Sequence, residues 1–398
     1  MRHRARRSSG LVRSRSLVAL NLPVAGLGPV LAAAVAVAIA FAIPNDRAGA
    51  DDAPPGGQAP PKPLAPAAAV PWREEVPPEA RAAAERGVRW LLKKQFGDGS
   101  WGCGDPETPA SAGITGLCVL ALMSSGSTPQ SGPHHEPLRD AVDWLLAHQN
   151  RDGALRGEYV TEMGIAFDHS SATLALCMAS GMHDERADEF AACLRSAEGF
   201  LARRQAGDGG FSRHEGRGDA MVTAHAWLAF RALHSVGGRV RLGHAPIEKF
   251  AQRAAGPWLR ANFAGRLSGS SEINDAVGWY RIQLGLGKGE DPTVKRLGDR
   301  LARRYLSADR PEAQEGGVSE WDYVAAFHLA QALLHESDDG RGAGWRIWYP
   351  AAARYLVSIQ DPDGSWSIVN CVHCKAFATA LAICVIETPR RLLPALGL

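Results

Sequence analysis

The chain has 398 residues, 44 of them Lys or Arg and 42 Asp or Glu, for a formal net charge of +2. So balanced a charge leaves no bulk electrostatic basis for binding nucleic acid. With 45% hydrophobic and 22% charged residues the composition is that of a globular chain, long enough for one large domain or two ordinary ones.

Residues 1–50 read as a signal peptide or a membrane anchor. Six arginines (Arg2, Arg4, Arg6, Arg7, Arg13 and Arg15) precede an uncharged run, Val24–Ile43, of bilayer-spanning length. Ala48-Gly49-Ala50 supplies a small-residue cleavage site, so cleaved and uncleaved forms both stay open. In either form the arginines stay in the cytoplasm and the rest of the chain lies outside it. If uncleaved, residues 24–43 keep contact with the membrane. Residues 51–76 are rich in Pro, Ala and Gly and read as a disordered linker.

From residue 77 to 398 a phrase recurs. "WLLKKQFGDGSW" starts at Trp90, "WLLAHQNRDGAL" at Trp144, "FLARRQAGDGGF" at Phe200 and "YLVSIQDPDGSW" at Tyr355. Its glutamines, Gln95, Gln149, Gln205 and Gln360, are separated by 54, 56 and 155 residues. The last gap is about three steps, and two worn copies fill it, with Phe263 and Tyr305 at the Gln position and Gly316-Gly317 after the second. Each of the six units reads as two helices. The first has one apolar face, as in "EARAAAERGVRWLLKKQ". The second is apolar almost throughout, as in "SAGITGLCVLALMSSG". A half-polar helix followed by a wholly apolar one, six times, predicts an all-α fold: an α6/α6 toroid with an outer ring facing water and an inner ring around a central cavity. The Gly of each phrase predicts a left-handed turn ending the outer helix, and the aromatic residue after it predicts a seal against the next unit.

The pattern aromatic-Leu-x3-Gln-x2–5-Gly-x-Trp/Phe resembles the QW motif of the prenyltransferase and squalene oxidase repeat superfamily. It is intact at Gln95…Trp101, Gln205…Phe211 and Gln360…Trp366 and looser at Gln149…Leu155. The C-terminal third is most similar to exported bacterial squalene-cyclase-like proteins. The resemblance implies a terpene cyclase/protein prenyltransferase toroid that binds or modifies an isoprenoid or other lipid ligand in its cavity. A non-catalytic scaffold for envelope proteins is the alternative. The cyclases of this superfamily protonate an alkene through an Asp-x-Asp-Asp motif, which this sequence lacks; Glu336-Ser337-Asp338-Asp339 is the nearest string and reads as a solvated loop. Aromatic residues, 7% of the chain, are also sparse for stabilising cations.

Protein prenyltransferases hold zinc with an Asp-x-Cys and a His, which carry over here to Glu320, Asp322 and His373. Two carboxylates and an imidazole suit a divalent metal such as Zn, and no other cofactor is implied; Asp322 near a helix N-cap is the structural reading of the same residues. Asp168 and His169 open the second inner helix and join the catalytic candidates with Glu320, Asp322 and His373. Thr223, His225, Glu272, Asn274 and Asp275 open the next two inner helices, where N-capping accounts for them as well. Cys103 in the first unit and Cys371 and Cys374 in the last meet where a six-unit ring closes. They read as a disulfide, a structural zinc site or free thiols. "GCGDP" brushes against a thioester motif, but Pro106 stands where that chemistry needs Gln.

Overall fold

In a computed structural model of the protein the described residues are 76–104, 107–182, 184–214, 216–236, 249–251, 270–304, 318–336, 342–369 and 374–393. The chain divides into two units, Met1–Ala65 and Pro66–Leu398, and all described residues belong to the second. The arginine-rich start, the run 24–43, Phe263, Tyr305, Gly316-Gly317, Cys371 and His373 lie outside the described residues. No described helix is long and apolar enough to cross a membrane.

Eleven α-helices stand among the described residues: α1 Pro78–Lys94, α2 Ala112–Ser124, α3 His135–Ala147, α4 Ile165–Ser180, α5 Ala187–Arg203, α6 Ala220–Ser235, α7 Ser270–Gly285, α8 Pro292–Arg304, α9 Glu320–Glu336, α10 Ala343–Ser358 and α11 Lys375–Ile386. Among these residues there is no strand, only two isolated bridges, Gln149–Leu155 and Phe211–Asp219. Helix α2 packs on α4, α4 on α6, α6 on α7, α7 on α9, α9 on α11, and α11 back on α2. Six inner helices therefore close a ring, as the two-helix repeat predicts. Helices α1, α3, α5, α8 and α10 lie outside it, and α1 meets α10 to close the outer layer. The fourth outer position falls mostly outside the described residues, where the sequence copy is worn.

Local sequence explains the two layers. Outer helix α3 buries Leu138, Ala141, Val142, Trp144 and Leu145, one stripe at helical spacing. Every residue of inner helix α2 is buried, as is every residue of α4 from Ile165 to Ala179. Ser111 caps α2 by accepting from the amide of Ile114, and Asp219 caps α6 by accepting from Met221 and Val222.

The recurring phrase is a joint between units. Gly99, Gly153, Gly209 and Gly364 all have φ between 85° and 92°, the left-handed turn that glycine makes without strain. Each Gln side-chain amide donates to the carbonyl of that glycine: Gln95 to Gly99 (2.9 Å), Gln149 to Gly153 (3.1 Å), Gln205 to Gly209 (2.8 Å), Gln360 to Gly364 (2.9 Å). The same amide reaches the next outer helix: Gln95 bonds Pro137 O in α3, Gln149 bonds Cys193 O in α5, and Gln360 bonds Ala83 O in α1, each at 2.8 Å. The first tryptophan of a unit donates back across the joint. Trp144 Nε1 reaches Asp98 Oδ2 at 3.0 Å, and Trp90 Nε1 reaches Asp363 Oδ2 at 3.1 Å. Unit six is thus tied to unit one by the bonds that tie unit one to unit two.

The second aromatic of the phrase is wholly buried and ties its own outer helix. Trp101 Nε1 donates to Leu91 O and Trp366 Nε1 to Leu356 O, both at 2.8 Å. Its ring also faces the next unit, as expected: a Cβ built at Gly87 would come within 2.7 Å of the Trp366 ring.

Candidate functional site

One mouth of the ring is formed by the starts of the inner helices. There a polar side chain one turn into the helix accepts from the backbone N–H of the phrase's last aromatic. Thr115 Oγ1 takes Trp101 N (3.0 Å), Thr223 Oγ1 takes Phe211 N (2.8 Å) and Thr379 Oγ1 takes Trp366 N (3.0 Å). In unit two the acceptor is His169 Nδ1, 3.0 Å from Leu155 N, while its Nε2 faces Ala197 O at 3.0 Å. With Nδ1 accepting and Nε2 donating, the ring is neutral, and burial pushes its pKa down to about 4. His169 is thus placed as the counterpart of three threonines. Among the sequence candidates Thr223 sits in this register, and His225 projects elsewhere.

Asp168 is buried beside it. Thr161 donates to both its oxygens, backbone N to Oδ2 at 2.7 Å and Oγ1 to Oδ1 at 2.5 Å. A Cβ at Gly113 would fall 2.5 Å from the Asp168 carboxyl carbon, so glycine makes the room. Burial pushes the Asp168 pKa up to about 7 against the opposing effect of the Thr161 bonds, and Glu320 adds to the rise. Glu320 opens α9, which lies across the ring from α4. Its own carboxyl is also pushed up, first by burial, while a bond from the Cys374 thiol opposes the rise. Arg213 stacks 5.2 Å over the Trp321 ring at the same edge.

The ring-closing loop completes the mouth. Ala376 N donates to Cys103 O at 3.0 Å, and the Cys103 and Cys374 sulfurs are 3.7 Å apart, both buried. Tyr159 is bonded to Cys103, and burial holds its hydroxyl protonated. The joint therefore brings Cys103 and Cys374 together with Glu320 and Tyr159. Tyr159 and Thr161 carry no sequence signal, because they lie in a loop without periodicity.

Asp322 behaves differently from Glu320. Ser319 donates to Asp322 Oδ2 from its N (2.9 Å) and Oγ (2.7 Å), and Ser319 Oγ accepts from Asp322 N at 3.3 Å. This reciprocal Ser-x-x-Asp pair caps α9. Among the described residues no three His, Cys, Asp or Glu side chains form a group that could hold a metal ion. Glu336 at the opposite end accepts from the Tyr280 hydroxyl, and the Asp338-Asp339 string after it lies outside the described residues. Asn274 is buried, Asp275 half-buried, and the Glu272 side chain lies outside the described residues.

Deeper along the axis lies a cluster of which the sequence pattern singled out only His225. Ser171 Oγ is 2.9 Å from His225 Nε2, and His225 Nδ1 is 3.2 Å from His328 Nε2. Phe167 stacks on His225 at 4.0 Å and lies 6.1 Å from Phe377, while Phe327 lies 6.3 Å from His225. Side chains from α4, α6, α9 and α11 thus meet at this level, where the sequence predicts a cavity. Burial pushes His225 down to about 3 and His328 well below its ordinary value.

These imidazoles make an acid-stability prediction. A folded-state pKa below the unfolded value near 6.5 gives stability that is fully present above pH 6.5 and lost as pH falls towards 4 and 3. This part of the stability should fall as pH drops through that window in thermal melts, against the opposite-signed contribution of the buried Asp168 carboxyl. His169→Thr, which restores the residue of units one, three and six, should fold and show a shallower acid slope. An unchanged slope would mean that His169 is protonated without cost.

The closed ring of helix pairs defines the class: an α/α toroid. No family model matches the sequence, and no curated protein matches it. Among solved structures, the GH76A α-1,6-mannanase of Salegentibacter shares the fold at 7% identity and TM-score 0.52, over 79% of this chain and 99% of that one. The type II terpene cyclase MstE from Scytonema aligns at 15% identity and TM-score 0.49, over 79% and 99%. A protein from Actinoplanes aligns at 17% and 0.45, over the same shares. At these identities the likeness speaks for the fold alone.

Proposed function

We propose that the toroid binds an isoprenoid or other apolar ligand at the mouth formed by the inner-helix starts, with Asp168 and Glu320 as its acid–base groups. The observation that carries this reading is the pair itself: two carboxyls on opposite inner helices, both raised by burial, with Glu320 close enough to add to the rise of Asp168. A carboxylic acid titrating near 7 exchanges protons readily with oxygen functions, but it is far too weak to protonate an alkene. The reaction class is therefore proton transfer at an oxygen-bearing end of the ligand, which accords with the missing Asp-x-Asp-Asp. The arginine-rich start and the run 24–43 support a site of action outside the cytoplasm, at or near the membrane.

Binding of a long-chain polyprenol to the full chain, read by quenching of tryptophan fluorescence, tests this. Saturable binding that Glu320→Gln weakens and that changes with pH around 7 is expected. No binding up to the solubility limit of the probe would favour the second reading, a non-catalytic scaffold for envelope proteins. That reading draws support from inner helices such as α2 that leave no residue exposed to a cavity. A divalent ion on Glu320, Asp322 and His373 is a third reading. Asp322's engagement with Ser319 and Glu320's tendency towards its neutral form do not fit it, and no step is derived through a metal. Metal analysis of the purified chain is its direct test.

Asp168 also affects stability. Its folded pKa lies above the unfolded 3.8, so its contribution is present below pH 4 and lost as pH rises through 7. Asp168→Asn keeps an acceptor for Thr161 N and an amide donor for Thr161 Oγ1. It should fold and remove that part of the pH dependence between 4 and 7. An identical profile in the variant would place the ionisation elsewhere.

A further inference from the structure

The outer ring carries its charge unevenly. Helix α8 has five Lys or Arg and one acid, and α10 has two Arg and no acid. Helix α3 has three acids and one Arg, and α5 three acids and two Arg. Helices α8 and α10 pack on each other as the outer helices of units five and six. Units two and three, which hold α3 and α5, stand opposite them in the ring of six. One side of the toroid is therefore basic and the other acidic.

The basic side also has an apolar centre. Ile347 is 42% exposed, more than any other large apolar side chain among the described residues. It lies on α10 two turns from Arg354 on the same helical face, and Arg346 flanks it. Pro350 and Ala351, both half-buried, fill the outer surface of α10 between the two arginines. On neighbouring α8, Lys295, Arg296 and Arg303 are exposed.

Helix electrostatics does not ask for this arrangement. Arg346 falls in the first turn of α10, where the macrodipole disfavours a cation. Lys295 is paired with Glu290 at 2.7 Å, but among the described residues Arg346 and Arg354 have no hydrogen-bond or ion-pair partner. Neither arginine is placed to neutralise an acid of the fold. Apolar side chains framed by arginines on a helix surface suit an anionic lipid interface: the cations meet the lipid phosphates and the apolar residue enters the headgroup layer. The chain also reaches the toroid on this side, since the linker read in residues 51–76 leads into α1, and α1 packs on α10.

We propose that the α8–α10 side of the toroid docks on the surface of an anionic membrane, with Arg346 and Arg354 on lipid phosphates and Ile347 between them in the headgroup layer. The inference rests on the membrane location proposed above and not on what the mouth binds.

The test uses the full chain with an environment-sensitive fluorophore on Ile347→Cys, in a Cys371→Ser background because the described cysteines are all buried. With phosphatidylcholine vesicles that contain phosphatidylglycerol the probe should shift to the blue. Salt at about 1 M, where the Debye length is about 3 Å, should reverse the shift. Vesicles of phosphatidylcholine alone should leave the probe unshifted, as should the same probe on Ala192→Cys, exposed on α5 at the acidic side. Arg346→Gln combined with Arg354→Gln should lower the ratio of docked to free faces about thirtyfold and erase the shift. A chain that floats with the vesicles while the Ile347→Cys probe stays unshifted would overturn the docking face and leave the membrane location standing. A chain that neither floats nor shifts would remove both. An equal shift in neutral vesicles, or at Ala192→Cys, would also overturn the face. A shift that grows with protein concentration in the absence of vesicles would assign the basic side to the acidic side of a second copy instead.

Discussion

Trp366→Ala should destabilise the toroid by about 3–5 kcal/mol, the usual cost of deleting a large buried aromatic side chain. Trp366 is fully buried, donates to Leu356 O, and lays its ring over the Cβ-free face of Gly87 in the first unit. An indole buries on the order of 200 Å², which at ~25 cal/mol per Å² gives ~5 kcal/mol. Two features make this position more costly than an ordinary core site. Gly87 offers no side chain to refill the space, and the joint links the two ends of the folded chain, which no covalent neighbour holds together. Denaturant titration of the full chain should show the loss as a lower midpoint at an unchanged slope. Trp366→Phe should cost less, because it keeps the ring against Gly87 and gives up chiefly the bond to Leu356. A loss in Trp366→Ala no larger than that of an exposed substitution would mean that the ends separate without unfolding the rest.

How much of this could be read in the sequence depends on the range over which each interaction acts. The period of the glutamines and the left-handed glycines act within one unit, so repeat number, helix pairs and ring were all legible. So was the capping role of Asp322, because Ser319-x-x-Asp322 is a local signature. The second bond of Gln95 and Gln149, to a carbonyl 42 to 44 residues further on, and of Gln360, back in the first unit, was not. It depends on how neighbouring helices pack. His169 illustrates the same limit. As a residue type it suggests acid–base chemistry, and only superposing the units places it in the register of Thr115, Thr223 and Thr379. The axial cluster was the least legible. Ser171, His225 and His328 sit on three helices, and His225 and His328 are 103 residues apart. Each alone looks like a stray polar residue on an apolar helix. The expectation of an open cavity came from the apolar inner helices, which a packed axis with aromatic and imidazole side chains satisfies equally well.

Oxidising the full chain should join Cys103 to Cys374 and raise its stability by up to about 5 kcal/mol, the entropy of closing a loop of several hundred residues. The sulfurs lie 3.7 Å apart across the joint of units one and six, 271 residues apart in sequence. The pair gives up two protons and two electrons to an incoming disulfide by thiol–disulfide exchange. Intact mass after exchange should fall by two hydrogens, and the oxidised form should melt well above the reduced one. Cys374→Ser should erase the difference; if Cys371 serves as the partner instead, the difference survives Cys374→Ser and disappears in Cys371→Ser. The bond would also reach the proposed acid–base pair. Burial raises the Glu320 pKa and the bond from the Cys374 thiol opposes that rise, so a disulfide removes that donor and further favours the neutral carboxyl. The pH dependence of polyprenol binding should then shift upward in the oxidised protein. Equal melting of both forms would leave the ring closed by packing and by the hydrogen bonds of Gln360, Trp90 and Ala376 across the joint.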